Sequence, residues 1–188
     1  MRRLAVAGAL LMACSCATHR VSLPVQAPAT LQQEPPGWET ARVTRIIDGD
    51  TIEVVITARS EGPGAGQAGV GEHHDVRLLG IDTPESVAPN TADQCYGREA
   101  SAALAALLED QDVVLVDDVE NIDHYDRLLR YVYLGHEMAN SRLVANGYAF
   151  AYTYPPNIRH SALFVRLQRA AREADRGLWS SETCGGDP

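Results

Sequence analysis

The sequence predicts an α+β domain in which a small five-stranded β-barrel packs against three helices. Three observations predict it: five short β-rich runs, three stretches with apolar residues at helical spacing, and the interleaving of the two along one chain. The chain has 188 residues, room for one domain with material left at its ends. It is 45% hydrophobic and 22% charged, the balance of a globular protein with a core. The net charge is −9, and there is no lysine, so the basic side chains besides histidine are all arginine. An acidic surface argues against indiscriminate adhesion to nucleic acid or to anionic membranes.

At the N-terminus a short basic region, Met1-Arg2-Arg3, precedes an apolar run from Leu4 to Ala13 and then Cys14. The run is too short for a permanent membrane span and has the layout of a secretory signal, which assigns residues 1–13 to that role. Leu11-Met12-Ala13-Cys14 resembles the lipobox of bacterial lipoproteins, where cleavage precedes the cysteine and that residue is acylated. Cys14 is therefore the expected lipidation site, with Cys16 a poorer candidate and ordinary cleavage to a soluble product the alternative. The expected location is extracytoplasmic, on a membrane facing the periplasm or the exterior. Export permits disulfides. Cys95 lies just before the first predicted helix and Cys184 just past the last, and no second Cys or His stands at ligand spacing. A Cys95–Cys184 bridge is expected rather than a metal site. It would close a loop of about 90 residues, worth on the order of 4 kcal/mol in chain entropy.

Residues 14–40 are rich in Pro, Gln, Ala and Ser without apolar periodicity and read as a flexible tether. Ala41 to Ile47 opens the domain as a strand, Asp48-Gly49-Asp50-Thr51 signals a turn, and Ile52 to Thr57 is a second strand. Arg59 to Glu72 is a Gly-rich loop, expected as a mobile hairpin tip. His73 to Ile81 is the third strand, and Ser86 to Gln94 is irregular. Tyr96 to Leu108 places Ala100, Leu104, Leu107 and Leu108 on one helical stripe. Val113 to Val116 and Leu128 to Leu134 are the fourth and fifth strands. Met138 to Ala145 is a short helix stopped by Asn146-Gly147. The last helix, His160 to Arg176, shows Leu163, Leu167, Ala170, Ala171 and Ala174 as its apolar stripe, with arginines opposite. The domain is expected over 41–181, with 182–188 a tail.

Three clusters could carry chemistry. Asp48 and Asp50 flank a glycine, so both carboxylates could reach one point; an EF-hand is excluded because its later ligands are missing. Arg77 to Glu85 is an apolar strand that begins on an arginine and ends in Asp82, Thr83, Pro84 and Glu85. Pro84 bars helix and stiffens that corner. Asp126-Arg127 heads a strand with Tyr131 and Tyr133 on one face. Carboxylates suit a hard cation, arginine grips phosphate in a two-pronged contact, and a glutamate beside a metal can deprotonate water. Together they form a kit for metal-assisted phosphodiester hydrolysis. On an ideal strand Arg77 and Asp82 point to opposite faces, so one pocket for both requires a bend, with Gly80 the place for it. Spacing alone does not choose between Arg127 and Arg130.

Ile-Asp-Gly-Asp-Thr at 47–51, the 77–85 motif and Tyr-Asp-Arg at 125–127 stand in one order with three further motifs. These are Cys-Tyr-Gly-Arg-Glu-Ala-Ser at 95–101, Tyr-Thr-Tyr-Pro-Pro-Asn at 152–157 and Gly-Leu-Trp-Ser at 177–180. The set resembles the signatures of the thermonuclease family, the staphylococcal-nuclease-like nucleases, over about residues 41–181. The resemblance implies an OB-fold barrel with three α-helices and Ca²⁺-dependent cleavage of DNA and RNA by a monomer. It implies that Asp50 and Asp82 bind calcium through carboxylates and Thr83 through its backbone carbonyl. Glu85 would be the general base, Arg77 and Arg127 would hold the phosphate, and Tyr125, Tyr152 and Tyr154 would line the nucleotide pocket. It also chooses Arg127 over Arg130.

The sequence departs from the family in three ways, one being a 59–72 loop longer than the family's usual tight connection. The loop after Glu85 is nearly free of basic residues, and Glu109 to Asp126 is strongly acidic. Charges beyond roughly 8 Å are largely screened at physiological salt, so weak substrate affinity with steep salt dependence is expected. The competing readings are a non-catalytic nucleic-acid-binding module on the same barrel and a structural envelope lipoprotein.

Overall fold

The computed structural model describes residues 37–60, 68–86 and 94–187. The expected signal and Cys14, most of the tether, and parts of the 59–72 and 86–94 loops lie outside the described residues.

Strands β1 (Trp38–Ile46), β2 (Thr51–Arg59) and β3 (His73–Leu78) form an antiparallel meander. After a turn at Leu79–Gly80 the chain makes β4 (Ile81–Asp82), then helix α1 (Gly97–Leu108), β5 (Asp112–Val116) and β6 (Leu128–Leu134). β7 (Glu137–Met138) leads directly into α2 (Ala139–Ala145), and β8 (Phe150–Ala151) precedes α3 (Ser161–Glu173). β5 pairs antiparallel with both β1 and β6, and β6 pairs parallel with β3. That last pairing closes a five-stranded barrel, the OB-type α+β fold, and leaves no open edge among the five. β4 pairs instead with β8. Among the described residues no helix is long and apolar enough to cross a membrane.

The alternation expected of half-buried strands is plain in β1 and β2, where Ala41, Val43, Ile52, Val54 and Ile56 point inward. β6 is buried almost throughout. Tyr131 and Tyr133 are therefore core residues, not site residues: Tyr131 packs on His160 and Phe164 and donates its hydroxyl to Asp118 at 3.0 Å. α1 buries Ala100, Leu104 and Leu108 as its spacing predicts.

Three expectations need correction. β1 begins at Trp38, so the last three residues of the expected tether belong to the sheet, where Thr40 pairs with Val114 and the Trp38 N–H donates to Ser60 Oγ at 2.9 Å. The third strand stops at Leu78 rather than Ile81. α3 buries Phe164 and Ala171, with Leu167 half-buried, while Ala170 and Ala174 face solvent. Phe164, absent from the predicted stripe, governs its orientation because the aromatic side chain fills the space beneath Gly80.

Cys95 and Cys184 are bridged, with Cα atoms 5.9 Å apart and a sequence separation of 89. The bridge fastens the start of α1 to a small second cluster of Ala171, Leu178 and Trp179.

Candidate functional site

The site is built where β3 leaves the barrel. Gly80, at φ +77°, turns the chain out of β3 in a backbone conformation that L side chains rarely adopt. A Cβ there would also overlap the Phe164 ring, with Cδ2 at 2.6 Å. The bend brings Arg77 and Asp82 to one side: Arg77 Nη2 lies 2.8 Å from Asp82 Oδ1, and Arg77 Nη1 lies 3.0 Å from Asp50 Oδ2. One guanidinium thus spans both carboxylates, and the convergence that an ideal strand forbids is achieved at the glycine.

Asp50 comes from the turn between β1 and β2. The Asp48 side chain turns back to accept the Asp50 N–H at 2.9 Å, so Asp48 shapes the turn. Gly49 sits so close to its neighbours that a Cβ would lie 2.6 Å from Thr83 Oγ1 and 2.9 Å from Ala100 Cβ. This glycine lets the turn, the corner after β4 and the first turn of α1 meet. Thr83 donates to Asp50 Oδ2 twice, from its N–H at 2.9 Å and from Oγ1 at 3.2 Å. Thr83 therefore aims the Asp50 carboxylate, a role that sequence spacing did not suggest.

The parallel register of β3 with β6 pairs Arg77 with Leu129 and so sets Arg127, one residue before β6, beside the same end of β3. Arg127 is held by Asp123, whose Oδ2 accepts from Nε at 2.8 Å and lies 2.7 Å from Nη2. Asp123 Oδ1 also accepts the backbone N–H groups of Tyr125 and Arg127. Burial alone would push the Asp123 carboxyl up, but these donors outweigh it and hold its pKa below the ordinary value. One carboxylate thus organises the whole 123–127 turn. Its signal was an aspartate four residues before an arginine.

A groove of about 250 Å³ opens at this end of the barrel, lined among others by Arg77, Asp82, Arg127, Tyr152 and Tyr154. Asp123 and His124 also line it, and sequence reasoning had placed neither there. Tyr125, 69% exposed, lies outside it and stands under the Arg127 guanidinium, 5.2 Å from Cζ to the ring centroid. Glu85 is exposed and is not among the lining residues. Its corner is pinned by Gln94, whose side chain accepts the Glu85 N–H at 2.7 Å and whose own N–H donates to the Glu85 carbonyl at 2.9 Å. Arg130, the alternative to Arg127, is fully buried against Glu39, with Nε and Nη2 each 2.9 Å from a carboxylate oxygen. It belongs to the core.

The donor set fits a hard cation. The Asp50 carboxyl is pushed up to about 7, chiefly by burial, with Asp48 and Asp82 adding repulsion against the pull of Arg77 and the Thr83 N–H. Burial and Asp48 also raise Asp82, against Arg77. Negative charge is crowded here beyond what one arginine neutralises, and the side-chain donors are all oxygens, as calcium prefers. Among the described residues no three His, Cys, Asp or Glu side chains stand together at ligand spacing. A cation would therefore complete its shell with backbone oxygen and water.

A closed five-stranded barrel whose groove is lined by two arginines, each paired with an aspartate, defines the OB-type class. The family described as staphylococcal nuclease homologue matches residues 75–181. The chain is 38% identical over 143 residues to a thermonuclease of Staphylococcus hyicus, covering 76% of this chain and 77% of that protein. It is 40% identical over 141 residues to the thermonuclease of Staphylococcus intermedius, covering 75% and 76%. Endonuclease YncB of Bacillus subtilis is 33% identical over 138 residues, covering 72% of this chain and 59% of that protein. The chain belongs to the staphylococcal nuclease family.

Proposed function

We propose that the chain is a Ca²⁺-dependent nuclease that hydrolyses phosphodiester bonds of DNA, RNA or both. We propose further that it acts as a monomer, exported and held at a membrane by lipid on Cys14. The observation that carries the reading is the convergence of Arg77, Asp50, Asp82 and Arg127 at one end of the barrel, with both arginines and Asp82 lining one groove. Asp50 and Asp82, with the Thr83 carbonyl, would hold the cation, which would polarise the phosphate and lower the pKa of bound water. Arg77, which spans both carboxylates, would grip a phosphate oxygen. Arg127, oriented by Asp123, presents a second fixed charge, and both would stabilise the extra negative charge of the five-coordinate phosphorus. Glu85, exposed at the corner beyond the groove, would take the proton from the attacking water as that water's oxygen bonds to phosphorus, and the 5′ oxygen would leave and take up a proton from solvent. Tyr152 and Tyr154 offer ring faces to the adjoining nucleoside.

The test is cleavage of single-stranded DNA and of RNA by the purified domain in Ca²⁺ and in EDTA. Cleavage in Ca²⁺ alone, abolished in Glu85→Gln with folding intact, supports the reading. Full activity of that variant would remove Glu85 from the base role, and cation-independent binding without cleavage would leave a binding module. Export and anchoring are tested separately: Cys14→Ser should move the protein from the membrane to the soluble fraction.

A further inference from the structure

The groove alone does not explain how so acidic a protein holds a polyanion. Asp82 and Asp123 line it, and Asp118, Glu120 and Asp126 lie in the segment that leads to Arg127. Helix α3 has the opposite character. From residue 159 to 176 it and its flanks carry Arg159, Arg166, Arg169, Arg172 and Arg176 against only Glu173 and Asp175, in a chain whose net charge is −9. Three of these arginines are already engaged. Arg159 lies 3.4 Å from Asp118, Arg172 covers the Trp179 ring at 4.4 Å, and Arg176 donates to the Ala145 carbonyl at 3.1 Å. Arg166 and Arg169 are exposed, and among the described residues neither side chain has an ion pair or hydrogen bond.

Arg166 and Arg169 are three positions apart, so they project from one helical face, on the side away from buried Phe164 and Ala171. The helix is tied to the groove. Phe164 packs under Gly80 in the groove wall, and Gln168 Oε1 accepts the N–H of Ala151, the residue before Tyr152. The apolar side of α3 is spent on the barrel, leaving Val165 as the one exposed large apolar side chain of the helix. The outer face, which also carries exposed Ala162, Ala170 and Glu173, therefore offers charge and little apolar bulk to insert into a bilayer.

We propose that this face of α3 is an exosite for the phosphates of a nucleic-acid strand whose scissile bond lies in the groove, with Arg166 and Arg169 as its contacts. The proposal rests on the groove being the site of phosphodiester cleavage. A thirteen-residue helix is about 20 Å long, enough to follow several phosphates of an extended strand. The exosite sets affinity for long strands and leaves the chemical step alone.

The experiment compares wild type with Arg166→Gln/Arg169→Gln on a single-stranded DNA of about 30 nucleotides and on a dinucleotide that fills only the groove. The double variant should raise KM for the long strand about tenfold and reduce the log–log salt slope by about 1.4, at about 0.7 per lost contact. KM and kcat for the dinucleotide should not move. Arg166→Lys/Arg169→Lys, which keeps the charge, should stay within about twofold of wild type on the long strand. An equal change on both substrates, or none on either, overturns the exosite. Loss of binding to anionic phosphatidylglycerol vesicles with long-strand KM unchanged also overturns it, in favour of a membrane contact. If wild type cleaves neither substrate, the cleavage reading fails by itself. The exosite is then decided by long-strand binding, which the double variant must weaken about tenfold to sustain it.

Discussion

Arg127 and Arg130 stand three residues apart on one stretch of chain, and each is gripped by a carboxylate through more than one nitrogen. Arg127 keeps part of its side chain in the groove, and its partner Asp123 comes from the same tight turn. Arg130 has no exposure, and its partner Glu39 arrives from β1, 91 residues away. The local pair holds a charge at the groove. The long-range pair ties β1 to β6 and is removed from water, and the remaining Arg130 nitrogen donates to the carbonyls of Asn121 and Leu129. An arginine at the head of a strand thus declares its role by where its partner comes from.

The largest expected effect comes from breaking the buried member. Arg130→Ala leaves Glu39 charged and unpaired in the core and should cost about 3–5 kcal/mol in a denaturant titration. Arg130→Met with Glu39→Leu should recover most of that loss, because a matched apolar pair has no charge to desolvate. Arg127→Gln should do the converse. Stability should fall by only about 1–2 kcal/mol, because Asp123 keeps its two backbone donors, while kcat should fall about 10²- to 10³-fold, the usual loss for one charge-stabilising donor. If the Arg130 variant loses specific activity per folded molecule as severely as the Arg127 variant, the division of labour is wrong.

The next effect is at the bend that lets Arg77 join Arg127. Gly80→Ala should lose about 1–3 kcal/mol through overlap with Phe164 and the positive φ. Phe164→Ala in the same chain would relieve the overlap but not the φ, so only partial rescue of activity is expected in a kinetic assay.

The smallest effects separate the carboxylates by pH. The folded pKa of Asp123 is depressed, so its stabilisation is present above the ordinary carboxylate value and lost as pH falls through the lower folded value. The melting-temperature gap between wild type and Asp123→Asn should therefore close below about pH 4. Asp50 has the opposite sign. Its folded carboxyl is pushed up to about 7, so its favourable contribution is complete below the unfolded value of 3.8 and lost as pH rises through 7. In EDTA, wild type should lose stability relative to Asp50→Asn between those limits, and saturating Ca²⁺ should cancel the trend. A flat difference curve in EDTA would mean the carboxylates are not crowded.

Much of the fold was legible because it rests on local pattern. The inward residues of β2, the α1 stripe and the end of α2 at Asn146-Gly147 all follow from periodicity and stop signals. The bend at Gly80 was legible as well, since Arg77 and Asp82 could not otherwise meet. What escaped depends on partners distant in sequence. Nothing near Arg130 announces Glu39, and nothing near Phe164 announces Gly80, so the burial of the first and the rotation of α3 could not be read. Thr83 as a clamp on Asp50 escaped for the same reason, at a separation of 33 residues. Asp123 was within reach, because its spacing to Arg127 is a local one.

The two hydrogen bonds between Glu85 and Gln94 have a consequence for the corner they hold. They staple the two ends of a loop, and the disulfide at Cys95 anchors the next residue. Whatever the chain does between residues 87 and 93, the corner that carries Glu85 is fixed by bonds outside that stretch. Doubling a loop's length costs only about 0.6 kcal/mol in closure entropy. An insertion there should therefore leave the Glu85 corner in place at small cost in stability, because the bonds that hold it lie on either side.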